Sequence, residues 1–174
     1  MTETQRSQAM RTRSLPGAWR SGAGALALAV ILVQLLWRGS VMMRGYFTQD
    51  DFLILSSGVS REPDLVPWLQ PFAGGLSPLG HALAGVQTAA RPLDWFVVGA
   101  VAIVVQTATA VLLWLVLCRL LGESWLRVVL LGVACLSPLT IWATASWAAA
   151  VTTLPPALLL VAAAWFMLLR LEDG

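Results

Sequence analysis

Residues 95–121, WFVVGAVAIVVQTATAVLLWLVLCRLL, carry no charge before Arg119. About 20 apolar residues suffice to cross the hydrocarbon core of a bilayer, so this stretch reads as a membrane-spanning helix. The rest of the chain agrees with it. Of 174 residues 58% are hydrophobic and only 11% charged, against about 25% charged in ordinary soluble domains. Mean hydropathy is +0.77. A soluble fold of this size cannot hide so much apolar surface, which makes the chain an all-α polytopic membrane protein with the lipid bilayer as its first partner. The net charge of +2 is small and scattered, which excludes nucleic acid as a partner.

Towards the N-terminus lies one long hydrophilic segment, 38–94, holding Asp50, Asp51, Glu62, Asp64 and Asp94. Before it comes a first apolar run within 21–37, bounded by Trp19 and Trp37. Eighteen steps separate those two residues, and at about 1.5 Å each they cover about 27 Å, with an aromatic belt residue at each end. Arg6, Arg11, Arg13 and Arg20 precede the run, as in a signal peptide. WRGSVM follows it with no small-residue cleavage site, so the run is expected to be an uncleaved anchor behind a tail of residues 1–20.

Towards the C-terminus, GES (122–124) is a tight connection. The almost continuously apolar 125–169 is too long for one helix and is expected to hold a third and a fourth span, about four in all. Ser137-Pro138 and Pro155-Pro156 should break the chain, so the turn is expected near 137–155, with the last span from Pro155 to Leu169. Irregular backbone at membrane depth must be buried by protein or line a cavity. This segment therefore either roofs a pocket or forms a plain hairpin with a Pro-kinked start. Arg residues sit in the tail, around the 122–124 turn and at Arg170, whereas 139–154 has no charge. By the positive-inside rule both termini, 1–20 and 170–174, are cytoplasmic and the 38–94 loop is extracytoplasmic, in a multi-pass plasma-membrane protein.

All eleven basic residues are Arg, and neither Lys nor Asn occurs. Their AT-rich codons are scarce in GC-rich genomes, so the source is expected to be bacterial. Cys118 and Cys135 read as small apolar core residues, since two Cys and one His make no ligand cluster. Gln34, Gln106, Thr107 and Thr109 read as helix-to-helix hydrogen-bonding groups. No acidic or basic residue is expected at mid-depth in a span, which argues against an ion-coupled transporter.

The loop holds the candidate site residues. In YFTQDDF (46–52), Thr48 and Asp51 have capping-box spacing, with both acids in the positive first turn of a helix. There Thr48 should accept the Asp51 N–H. The pair either only starts that helix or also performs chemistry at the membrane surface. SPLGHALAGVQTAARPLDW (77–95) reads as an interfacial amphipathic helix, with Ser77 as N-cap and Pro78 in its first turn. Leu79, Leu83 and Val86 form its apolar face, and His81, Gly85 and Thr88 the opposite one. His81 can donate or accept a proton near neutrality, or be a surface histidine. Arg91 is either a membrane-surface anchor or a planar double donor for phosphate.

TQDDF (48–52) just after the first span, SPLGHALAG (77–85), RPLDW (91–95) leading into the second, and SPLTIWATASWAAAV (137–151) together resemble the GT-C membrane glycosyltransferases of the polyprenol-phosphate-sugar-dependent mannosyl- and arabinosyltransferase types. The resemblance implies transfer of a sugar from a polyprenyl-phosphate-linked donor to an acceptor hydroxyl on the outer face. It implies Asp50 or Asp51 as the catalytic base, with Asp50 the favoured one, and His81 and Arg91 as substrate-binding residues. Some members hold a divalent metal, Mg or Mn, at the acidic pair, which here would be Asp50 and Asp51. Such enzymes carry many more spans, whereas this chain stops at RLEDG (170–174). The expectation is the N-terminal portion of such an enzyme, working with a missing C-terminal part or a partner membrane subunit. The competing reading is a non-catalytic multi-pass scaffold or assembly subunit.

Overall fold

A computed structural model of the chain describes residues 22–59, 71–72, 75–76, 78–91, 93–138, 141 and 146–173. The Arg-rich tail, Glu62, Asp64, Ser77 and most of 139–145 lie outside the described residues. Helices dominate: α1 (Gly22–Met42), α2 (Gln49–Val59), α3 (Pro78–Ala90), α4 (Trp95–Leu121), α5 (Leu126–Leu136) and α6 (Trp147–Asp173). Between α2 and α3 a two-residue antiparallel ladder pairs β1 (Pro71–Phe72) with β2 (Gly75–Leu76). Three helices, α1, α4 and α6, are long and apolar enough to cross a membrane. Side chains such as Leu36, Val104, Leu160 and Met167 are exposed on them. That much apolar surface is tolerable only in lipid, and the chain is a membrane protein.

α4 keeps the boundaries its sequence implies. The Asp94 carboxylate accepts from the N–H groups of Phe96 (3.0 Å) and Val97 (3.4 Å), which caps its start. It ends at Gly122, whose φ of 58° and ψ of −136° suit a residue without a Cβ.

The other spans differ from expectation in three ways. α1 does not stop at Trp37 but continues through Arg38 to Met42. α6 begins at Trp147 rather than near Pro155 and runs through Pro155 and Pro156, so the connection shrinks to 137–146. Proline inside a span costs less than in water-soluble helices, because neighbouring groups re-satisfy the freed backbone. Finally, of the third and fourth helices, both expected to be short, only α5 is short, while α6 is long enough to span. α5 has 11 residues, about 16 Å, or half of a bilayer core. It stops at Ser137, which is extended (φ −61°, ψ 126°) as the residue before a proline must be.

The helices pack around two apolar clusters. At the α2–α3 end, Met42, Val98, Ala102, Trp147, Ala150, Val151 and Leu154 close around Ala84 of α3. At the opposite end, Ala23, Ala27 and Ile31 meet Ala110, Trp114, Leu117, Leu131 and Cys135. α1 therefore runs antiparallel to α4, and α6 parallel to it. Small residues on α1 permit close approach to α4, as expected where lipid removes the hydrophobic drive between helices.

Where α1 leaves the bundle, the Trp95 indole N–H donates to the Met42 carbonyl (2.6 Å), and Phe47 meets the Trp95 ring edge-on at 5.0 Å. Gly45 lies directly under that ring. A Cβ there would overlap Trp95 Cζ2, with the Met42 carbonyl at 3.0 Å. Gly45→Ala should therefore displace a pinned tryptophan and lower stability by about 1–3 kcal/mol. Gly132→Ala, which meets nothing within 4 Å, should be near neutral. Thermal unfolding of the two variants in detergent checks the contrast, and equal midpoints would refute it.

Candidate functional site

The acidic pair opens α2 and its two members are treated differently. Asp50 is exposed, whereas Asp51 is fully buried. The Thr48 N–H (2.6 Å) and the Thr48 hydroxyl (3.0 Å) both donate to Asp51 Oδ2, and the Ala148 N–H donates to Oδ1 (2.6 Å). One half of the capping box is thus formed. The other half is replaced, because the Asp51 N–H goes to the Thr48 carbonyl (3.1 Å) and the Thr48 hydroxyl donates instead of accepting. Ala148 is the second residue of α6. One carboxylate therefore caps two helices, α2 and α6, and sits on the positive end of both. That spatial link spans 97 residues of sequence and no local pattern reveals it.

α3 turns a different face to the protein than its composition implies. Gly80, His81, Ala84 and Gln87 are buried, while Val86 is exposed. His81 is thus not a surface histidine. Packing decides the rotation, because Ala84 enters the cluster beside Trp147 and a larger side chain there would hold the helices apart. Gln87, which sequence reasoning passed over, has both amide atoms buried without a partner among the described residues, as does the Trp147 indole N–H. Its signal was the 80/81/84/87 spacing on one helix face. Arg91 follows α3, with its side chain 74% exposed and Nη1 at 3.5 Å from Asp94 Oδ2. A pair so exposed contributes little to stability and leaves the guanidinium available to solvent. Around the meeting of α2, α3 and α6 the residues Asp51, His81 and Gln87 are buried, whereas Asp50 is exposed and Arg91 lies exposed beyond the end of α3, beside Asp94.

Mg or Mn at the acidic pair does not fit this arrangement. Asp51 Oδ2 already accepts from two donors and Oδ1 from one, and the residue is fully buried, which leaves a cation a single buried lone pair. Among the described residues no three His, Cys, Asp or Glu side chains come together to hold a metal ion.

A second polar group lies between the two apolar clusters. Arg38 is only 4% exposed, inside α1, and its Nη2 donates to the Cys135 carbonyl (2.9 Å) in the last turn of α5. With the Gln106 amide turned so that its oxygen faces Arg38, that oxygen accepts from Arg38 Nη1, from Arg38 Nε (3.1 Å) and from Gln34 Nε2 (2.9 Å). Gln106 is eleven residues into α4, about 16 Å along a helix of about 40 Å. A cation is therefore buried between α1, α4 and α5, against the negative end of a half-length helix. α1 thus carries a buried charge four residues before its end, where the span was expected to have stopped at Trp37. Gln34 and Gln106 do link helices as expected. Thr107 and Thr109 instead donate to carbonyls of their own helix, at Ile103 and Val105. A cavity of about 210 Å³ adjoins this group, bounded by Thr109, Leu113, Ala134, Thr153 and Ala157. Cys135 is buried as expected, whereas Cys118 is half-buried and its sulfur accepts from Arg127 Nη1 (3.8 Å); both are free thiols.

No protein-family model, no curated protein and no solved structure matches the chain.

Proposed function

We propose that the chain is the N-terminal membrane portion of a glycosyltransferase, which moves a sugar from a polyprenyl-phosphate carrier to an acceptor hydroxyl on the outer face of the plasma membrane. The observation that carries the reading is the division of labour in the acidic pair. Asp51 is locked between α2 and α6, so its neighbour Asp50 is an exposed carboxylate on a firmly held helix start. A general base needs that combination of freedom at its oxygens and rigidity in its backbone. In this reading Asp50 takes the proton from the acceptor hydroxyl as its oxygen bonds to the anomeric carbon. The bond from that carbon to the phosphate oxygen breaks, and the leaving phosphate is met by Arg91 as a planar double donor. The distribution of Arg supports an extracytoplasmic position for α2 and α3, the side on which this reading has the lipid-linked donor presented.

The test uses membranes from cells in which the gene is deleted and replaced by the Asp50→Asn form, supplied with radiolabelled polyprenyl-phosphate mannose or arabinose. Loss of the general base should lower transfer by about 10²-fold or more with unchanged protein level. Transfer at the unmodified rate would remove the catalytic reading. A non-catalytic scaffold is the second reading, and one observation favours it: every hydrogen bond of Asp51 serves helix capping.

A further inference from the structure

The cavity of about 210 Å³ beside Arg38 has a polar floor and an apolar body. Gln34, Arg38 and Gln106, all more than nine-tenths buried, form the floor between α1 and α4. Ala134 on α5 and Thr153 and Ala157 on α6 also line it, and these three are exposed. The cavity therefore opens sideways between α5 and α6, two helices that scarcely touch each other. In a bundle that stands in a membrane, such an opening meets lipid.

The walls define what fits. Arg38 donates to the Cys135 carbonyl and the Gln106 amide oxygen, both neutral groups, and a guanidinium does not give up its proton. A positive charge in the wall of an apolar cavity draws an anion, all the more because few dipoles there screen it. The Thr109 and Thr153 hydroxyls donate to carbonyls of their own helices and have no further hydrogen for a ligand. A carboxylate puts one charge on two oxygens in a plane that matches the guanidinium. A phosphate monoester brings more charge and a third acceptor oxygen, for which these hydroxyls supply no donor.

Size narrows the choice further. The cavity has room for roughly fifteen water-sized groups. An acidic side chain from a neighbouring helix would bring only a few atoms and leave most of that room without packing contacts. A hydrocarbon chain fills it. We infer that the cavity binds a long-chain fatty acid taken from the bilayer, its carboxylate towards Arg38 and its chain running out between α5 and α6.

Arg38→Gln removes the charge but endangers the fold, so a second variant is placed at the mouth. Ala134→Phe combined with Ala157→Phe adds two rings at exposed positions that line the opening. It should narrow the entrance and keep the unmodified thermal midpoint. The full chain, purified in neutral detergent, is titrated at alkaline pH with oleate, oleyl alcohol and oleyl phosphate, and bound lipid is counted by native mass spectrometry. One oleate should bind per chain, about tenfold or more tighter than oleyl alcohol, the scale of one charge-assisted hydrogen bond. Oleyl phosphate should also bind more weakly than oleate. Folded Arg38→Gln should bind oleate no better than oleyl alcohol, and the double Phe variant should weaken oleate about tenfold. The inference is overturned if oleyl alcohol or oleyl phosphate binds as well as oleate, or if the folded double variant binds oleate undiminished. A dimer that the double variant disperses, with no oleate bound to either form, would also overturn it and give the groove to a helix of a second copy.

Discussion

Arg38→Ala is expected to lower stability by about 3–5 kcal/mol, the scale found when one partner of a buried charged contact is removed. The guanidinium serves acceptors on two other helices, the Cys135 carbonyl of α5 and the Gln106 amide of α4. Truncation orphans the Cys135 carbonyl and leaves the Gln106 oxygen with Gln34 Nε2 alone, at about 1–3 kcal/mol for an orphaned acceptor, and it enlarges the adjoining cavity. Arg38→Lys should recover only part of the loss, because an ammonium cannot reproduce the planar fork that spans both acceptors. Arg38→Met with Gln106→Leu should exceed Arg38→Ala in stability, since the double change removes an acceptor together with its donor. Thermal unfolding of the three variants in one detergent measures the order. A midpoint for Arg38→Ala within about 0.5 kcal/mol of the unmodified protein, the size of an ordinary surface substitution, would mean the cation does not hold α5.

Asp51→Ala carries the second large effect, a loss of about 3 kcal/mol, set against a change within about 0.5 kcal/mol for Asp50→Ala. The difference follows from burial and not from charge, since the residues are adjacent and carry the same group. Removing the Asp51 carboxylate orphans the Ala148 N–H at the start of α6 and both Thr48 donors at the start of α2. Asp51→Asn should fall between the two, because its amide keeps one acceptor oxygen and turns a donor towards another donor. Hydrogen exchange at the Ala148 amide gives a local readout: it should accelerate in Asp51→Ala and stay slow in Asp50→Ala. Equal exchange and equal midpoints in the two variants would show that the lock between α2 and α6 contributes nothing. A functional assay must respect this difference, because lost activity in Asp51→Ala reports folding as well as chemistry.

Much of the architecture was legible residue by residue. α4 could be bounded from its apolar length, the Asp94 cap and the glycine after it, all of which are local. The capping spacing of Thr48 and Asp51 correctly marked a helix start. Arg38 was misjudged because a charge after a tryptophan resembles the end of a span. Yet Ala27, Ile31, Gln34, Arg38 and Met42 recur at intervals of three or four, one stripe down one helix face, and all are buried. His81 was placed on the wrong side for a related reason. Side-chain polarity gives the rotation of a helix only when its surroundings are water, and α3 enters the cluster that holds Trp147 through a small residue, Ala84.

Apolar length, caps and proline positions, read along the sequence, were enough to determine that the chain is helical, that it lies in a membrane and where its best-bounded span begins and ends. These depend on contacts within a few residues and on the cost of apolar surface in water. Only the tertiary structure decided that Asp51 is an internal fastener while Asp50 stays free, that a buried Arg38 closes the end of a half-length helix, and that α6 continues through two prolines. Each of those depends on a partner brought near by helix packing, such as Ala148 for Asp51 or Cys135 for Arg38, both 97 residues away along the chain. In lipid an unpaired polar group finds no water to take the partner's place, so the identity of that partner fixes both the fold and the group's chemistry.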